Sequence, residues 1–155
     1  MGHNKKELLN EMILIEKNMA LLYELYAELF KKDTGFWQAI SSEEVRHAIV
    51  LDTGNLYMAI EKLPDEALYK DLDSLKLVNK SINQAIAGYR KLPPPIEDAY
   101  NFAIQMEKCA AEAYYQKLME KNHAHETIKV WQQLNGDSVG HADRIRALLE
   151  EKKGL

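Results

Sequence analysis

The chain has 155 residues, 46% of them hydrophobic and 28% charged, a balance that suits one globular domain with its own core and excludes a disordered chain. Its one cysteine, Cys109, rules out a disulfide framework and any four-cysteine zinc or iron module, so metal or redox chemistry falls to histidines and carboxylates. A formal net charge of -4 without a clustered Lys/Arg face gives no general attraction to nucleic acid or anionic lipid, and neither is expected as a partner.

No charge-free apolar run reaches the roughly 18 residues of a membrane span, and Met1 to Lys6 is polar, so the expected setting is a reducing cytoplasm. Scarce glycine, with abundant Ala, Leu, Glu and Lys, favours helix throughout. The first predicted helix, about Asn4 to Lys32, carries Leu9, Met12, Met19, Tyr23, Tyr26 and Phe30 at helical spacing and stops at Asp33, Thr34, Gly35. The second, about Phe36 to Lys62, carries Trp37, Ile40, Leu51 and Met58, and the short turn makes the two antiparallel neighbours. Residues 63–95 read as a crossover with a shorter amphipathic helix through Leu68, Leu72, Leu75, Val78, Ile82 and Ile86, closed by Gly88 and Pro93, Pro94, Pro95. Glu97 and Asp98 then suit the start of a third helix, about Ile96 to Lys121. A fourth runs from about His125 to Lys152, loosened at Asn135, Gly136 and Gly140. The whole chain, 1–155, forms one all-α domain with helix hairpins at 4–62 and 96–152.

The halves repeat. Glu16, Lys17, Met19, Ala20 and Tyr23 in helix one match Glu107, Lys108, Ala110, Ala111 and Tyr114 in helix three. Trp37, Gln38, Ile40, Glu43, Glu44, Val45, His47, Ala48 in helix two match Trp131, Gln132, Leu134, Asp137, Ser138, Val139, His141, Ala142 in helix four; five of these eight pairs are identical, so the register is unambiguous. Glu16, Glu44, His47, Glu107 and His141 all fall within apolar stripes and therefore project into one core. An unpartnered buried carboxylate costs several kcal/mol. No Lys or Arg occupies the stripes at that level, which leaves protons or metal ions as the compensating charge. Glu44-x-x-His47 sets a carboxylate and an imidazole one turn apart on one face, able to reach one metal, and an O/N donor set suits iron, manganese or zinc.

At these residues the sequence resembles the ferritin-like di-iron carboxylate proteins, and most closely the rubrerythrin-like branch, over nearly the whole chain. The resemblance implies a ferritin-like four-helix bundle with a long helical crossover between helices two and three. It also implies one or two irons held by Glu16, Glu44, His47, Glu107 and His141, with Tyr23 and Tyr114 as phenols that hydrogen-bond the carboxylates. The implied chemistry is reduction of hydrogen peroxide or dioxygen with oxidation of Fe(II), and family analogy implies a homodimer. The sequence departs from the family twice. With one cysteine it cannot build the rubredoxin-like iron domain of rubrerythrins, so its electron donor is a separate protein. Ser138 stands where the helix-four motif has Glu; three carboxylates then leave one positive charge on two divalent ions, and the second metal binds more weakly.

Two rival readings accompany this one: a non-catalytic protein holding a single Fe, Mn or Zn at the complete half of the site, and a metal-free structural or interaction bundle. Trp37 and Trp131 read as core packing or bundle-end plugs rather than electron-transfer groups, Cys109 as a packed thiol, and Met12 and Met19 as core filling. Glu24, Glu28, Lys31 and Lys32 read as a solvated face. His123 and His125 fall in a turn and His3 in the N-terminal tail.

Overall fold

The computed structural model describes residues 5–59, 71–109, 129, 132 and 140–154, and its regular elements among these are all helical. They are α1 (Lys5–Leu29), a single 3-10 turn (Lys31–Asp33), α2 (Thr34–Ala59), α3 (Leu72–Lys91), α4 (Ile96–Glu107) and α5 (His141–Lys153). Tyr114, Ser138, Trp131, His3, His123 and His125, and with them residues 60–70, lie outside the described residues.

Helix α1 has neither Gly nor Pro in its 25 residues, and it is the central element. Beyond its first turn only a narrow line through Asn10, Leu14, Lys17, Leu21, Glu24 and Glu28 stays exposed, because α1 packs against both α2 and α3 and also bonds to α4. The predicted turn is displaced. α1 closes at Leu29 rather than Lys32, where Phe30 leaves the helical region at φ -111°, ψ 78°. Its N–H still donates to Tyr26 O at 2.8 Å, and Asp33 N–H donates to Phe30 O at 2.9 Å. Thr34 Oγ1 donates back to Ala27 O at 2.7 Å, so α2 starts at Thr34 and takes Gly35 into its first turn, where glycine costs less than in a helix interior.

Asp71 caps α3 by accepting from Ser74 N at 3.1 Å and Ser74 Oγ at 2.7 Å. Its buried face is Leu72, Leu75, Asn79, Ile82 and Ile86, at the spacing the sequence predicts. Gly88 does not end this helix; its carbonyl accepts from Leu92 N–H at 3.0 Å. The end comes at Leu92, which is extended at φ -143°, ψ 99°, as a residue before proline must be. Pro95 then opens α4, whose Ala99 N–H reaches Pro95 O at 3.1 Å. The helix expected to continue to Lys121 closes at Glu107 with a turn at Lys108 and Cys109, where Cys109 N–H donates to Met106 O at 3.1 Å, an i to i-3 bond. Gly140, where loosening is expected, is extended at φ -61°, ψ 137°, and α5 begins at His141; Asn135 and Gly136 lie outside the described residues.

The core has two zones. At one end, rings from α1, α2, α3 and α4 interlock: Trp37 lies 4.9 Å from Tyr26, 4.9 Å from Tyr100 and 5.0 Å from Phe36 between centroids, distances typical of favourable aromatic pairs. Trp37 is thus fully buried core packing, one of the two readings the sequence gives it. A polar contact between α1 and α3 was not foreseen: Asn18 Nδ2 donates to Asn79 Oδ1 at 2.9 Å, and Asn79 Nδ2 donates to Glu11 Oε2 at 2.7 Å. Both asparagines are buried, which fixes the register of α3 on α1 through amides that pair there.

Truncating Asn79 to Ala strands the Asn18 amide, at an expected cost of about 1–3 kcal/mol. Replacing Asn18 and Asn79 together by Leu removes both partners and costs less than the single truncation. Denaturant midpoints of the single and double variants check this; equal or greater loss in the double variant contradicts it.

Candidate metal centre

Midway along α1 and α2, and at the end of α4 and the start of α5, five polar side chains gather at one level of the core. Glu16 comes from α1, Glu44 and His47 from α2, Glu107 from α4 and His141 from the first position of α5, and all five are buried. These are the five ligands expected from the sequence, brought together from segments far apart in the chain. The two histidine rings stack at 5.4 Å with their planes 15° apart.

The cluster is two triads with one shared member. Glu16, Glu44 and His47 offer ligand atoms within 4.8 Å of one another, and so do Glu44, Glu107 and His141. His47 Nδ1 stands 3.3 Å from Glu44 Oε2 and 3.4 Å from Glu16 Oε2. His141 Nδ1 stands 2.7 Å from Glu44 Oε1 and 3.4 Å from Glu107 Oε1. Glu44 therefore turns one carboxylate oxygen to each triad, and both imidazoles aim the same nitrogen at the acids.

Tyr23 contributes as the repeat suggests, with a difference. Its phenol donates to Glu107 Oε1 on α4, so the tyrosine of one half serves the carboxylate of the other. Burial, followed by the charge on Glu107, raises the Tyr23 pKa well above its ordinary value, which keeps the phenol a donor. Glu43, the acid one position before the motif glutamate, has a part as well. Its Oε1 accepts from Arg144 Nη1 at 2.7 Å and lies 3.5 Å from His141 Nε2. The Glu43 carboxylate thus lies behind the far imidazole nitrogen, while Nδ1 faces the site. The signal was present in the sequence as the aligned pair Glu43 and Asp137, one position before the motif glutamate.

Electrostatics show what compensates the buried acids when protons alone are available. Burial, reinforced by the neighbouring Glu44 charge, pushes Glu16 up from 4.5 to about 8. Burial lowers the His141 pKa, but hydrogen bonds to Glu107 and Glu44 overcome it and push His141 up from 6.5 to about 12. Burial alone would raise Glu107, yet its bonds with His141 hold it below the usual carboxylate range. Glu43 is likewise held low, the Arg144 hydrogen bond and the His141 charge outweighing burial.

The residues fit a metal. Glu16 Oε2 is buried and makes no hydrogen bond among the described residues, the condition of an oxygen that lacks its cation. The donors are carboxylate and imidazole without thiolate, the set that suits iron, manganese and zinc. No known protein family, no curated protein and no solved structure matches this chain.

The proton balance fixes the pH response of the metal-free protein. Folded Glu16 keeps a proton that the unfolded chain releases between pH 4.5 and about 8, and folded His141 does so between 6.5 and about 12. The folded state binds more protons, so stability falls as pH rises, most steeply where the windows overlap. Glu43 and Glu107, held below 4.5, act oppositely and cost stability in acid. Thermal midpoints of metal-free protein should therefore peak in mildly acidic buffer and fall through neutrality, and Glu16→Gln should flatten that fall. A midpoint that rises through neutrality contradicts this.

Proposed function

We propose that this chain is a rubrerythrin-like iron-binding protein with a ferritin-like bundle, oxidising Fe(II) with hydrogen peroxide or dioxygen at a di-iron site that lacks one glutamate. The observation that carries the reading is Glu44, which faces two Glu/His triads at once with an imidazole Nδ1 turned onto each of its oxygens. A buried carboxylate so placed is what two adjacent cations require and what a single hydrogen bond does not. Iron in this centre supplies the one-electron steps between Fe(II) and Fe(III).

The chain's own residues do the remaining work. Glu16 and His47 define one position and Glu107 and His141 the other, while Glu44 spans both. Glu43 fixes His141, Tyr23 orients Glu107, and the surrounding core excludes water. With Ser138 in place of the last glutamate, the first position keeps the complete Glu-x-x-His motif and the second is the weaker. A separate protein supplies electrons, the chain acts as a homodimer, and its setting is the cytoplasm. No helix among the described residues is long and apolar enough to cross a membrane.

A second reading has an observation of its own. The 2.7 Å contact of His141 Nδ1 with Glu44 Oε1 is a good charge-assisted hydrogen bond as it stands, so the centre is also a proton-filled site of a metal-free or single-metal protein.

Metal analysis of untagged protein from iron-supplemented cells, with optical spectra before and after peroxide, separates these readings. One to two irons per chain and a peroxide-dependent spectral change are expected; no metal leaves the proton-filled site. Glu44→Ala should abolish loading of both positions, whereas His141→Ala should spare the position built on Glu16 and His47. Metal at about a hundredfold excess over its Kd should stabilise the protein by about 2.7 kcal/mol, and chelation should reverse the gain in Tm.

A further inference from the structure

The aromatic end of the core is joined to the metal centre by a run of contacts in which two phenols already rest on carboxylates. Tyr23 donates to Glu107 at the centre. Its ring lies 5.1 Å from that of Trp37. Trp37 Nε1 donates to Tyr100 OH at 3.0 Å, and Tyr100 OH donates to Asp33 Oδ2 at 2.5 Å. Asp33 is also held by Lys152 Nζ at 2.7 Å, with 10% of its side chain exposed. Trp37, Tyr23 and Tyr100 are themselves fully buried.

A phenol yields an electron readily only where its proton has a base to go to, and a carboxylate is such a base while an amide carbonyl is not. Three tyrosines surround Trp37, and their acceptors distinguish them. Tyr26 donates to the backbone carbonyl of Ala99 at 2.7 Å and is a dead end. Tyr100 rests on Asp33, near solvent, and Tyr23 rests on an acid of the metal centre. Packing alone accounts for the rings but does not require acids under these two phenols.

The geometry points to an electron relay from Tyr100 through Trp37 and Tyr23 to the Glu/His cluster, with Asp33 taking the Tyr100 proton. This rests on iron binding at the cluster, as proposed above. It meets a need created by Ser138: hydrogen peroxide requires two electrons, and a chain holding one Fe(II) supplies one. The balance closes with Tyr100 as the second donor. One hydrogen peroxide takes one electron from Fe(II), one electron from Tyr100 through the relay, and two protons from solvent. The O–O bond breaks, and the products are two waters, Fe(III) and a neutral tyrosyl radical. The phenolic proton crosses to Asp33 Oδ2 and on to water, and the separate electron-donor protein, with a proton from solvent, restores Tyr100.

The first arm of the test needs no metal. Laser photoionisation of tryptophan in the metal-free protein, followed by transient absorption, should show tryptophan radical converting to tyrosyl radical. The Trp37-dependent part, identified with Trp37→Phe and read in a Tyr23→Phe background so that Tyr23 cannot supply the electron, should lose that conversion in Tyr100→Phe and in Asp33→Asn, which keeps a hydrogen-bond acceptor but no base. Circular dichroism confirms that each variant is folded. In the second arm, protein loaded with one Fe(II) per chain is mixed with peroxide and frozen for electron paramagnetic resonance, where a tyrosyl signal is expected and Tyr100→Phe abolishes it. Unchanged conversion in the metal-free variants overturns the relay whether or not iron binds. Failure to bind iron, with conversion intact in the first arm, overturns the proposed function and the peroxide step together.

Discussion

The structure depends on the neutralisation of carboxylates that have been taken out of water. Glu16, Glu44 and Glu107 are buried at one level of the core, and isolated charges in such a place would cost more than the packing around them returns. Everything nearby serves to reduce that cost. His47 and His141 bring nitrogen from two helices, Tyr23 brings a phenolic hydrogen, and Glu43 with Arg144 steadies the imidazole of His141 from behind. Whether protons or a metal complete the balance, the helices are held by what converges on these acids as much as by apolar contact.

Division of the core into a polar middle and an aromatic end follows from the same constraint. A centre that must keep a fixed geometry needs rigid walls, and the interlocked rings around Trp37 supply one. Tyr23 belongs to both zones, with its ring against Trp37 and its hydroxyl on Glu107. The Asn18–Asn79 contact does comparable work on the other side of α1, because it locks the crossover helix in one register. α1 thus receives specific polar bonds from α3 and α4 in addition to its apolar packing on α2.

Much of this was legible in the sequence. Periodicity exposed the all-helical class, and self-comparison identified the five buried polar groups, since a polar residue repeated within an apolar stripe has few explanations other than a shared site. Helix ends were less legible. Gly35 and Gly88 were read as stops, yet one opens α2 and the other lies inside α3, because a single glycine is a small cost that side-chain clips and packing outweigh. Gly140 did mark a helix boundary, at the start of α5. Partners across the fold were the least legible: that Tyr23 serves Glu107 rather than Glu16, that Glu43 backs His141, and that Tyr100 rests on Asp33 all depend on how helices from distant segments are set against one another. Pattern within a helix reports burial, but not which groups meet across the core.

The carboxylate of Glu44 is a single point of failure. Loss of Glu16 or His47 leaves the other triad complete, and loss of Glu107 or His141 leaves the first, whereas any replacement of Glu44 dismantles both in one step. Of the five buried polar positions, this one in α2 has the least room to vary.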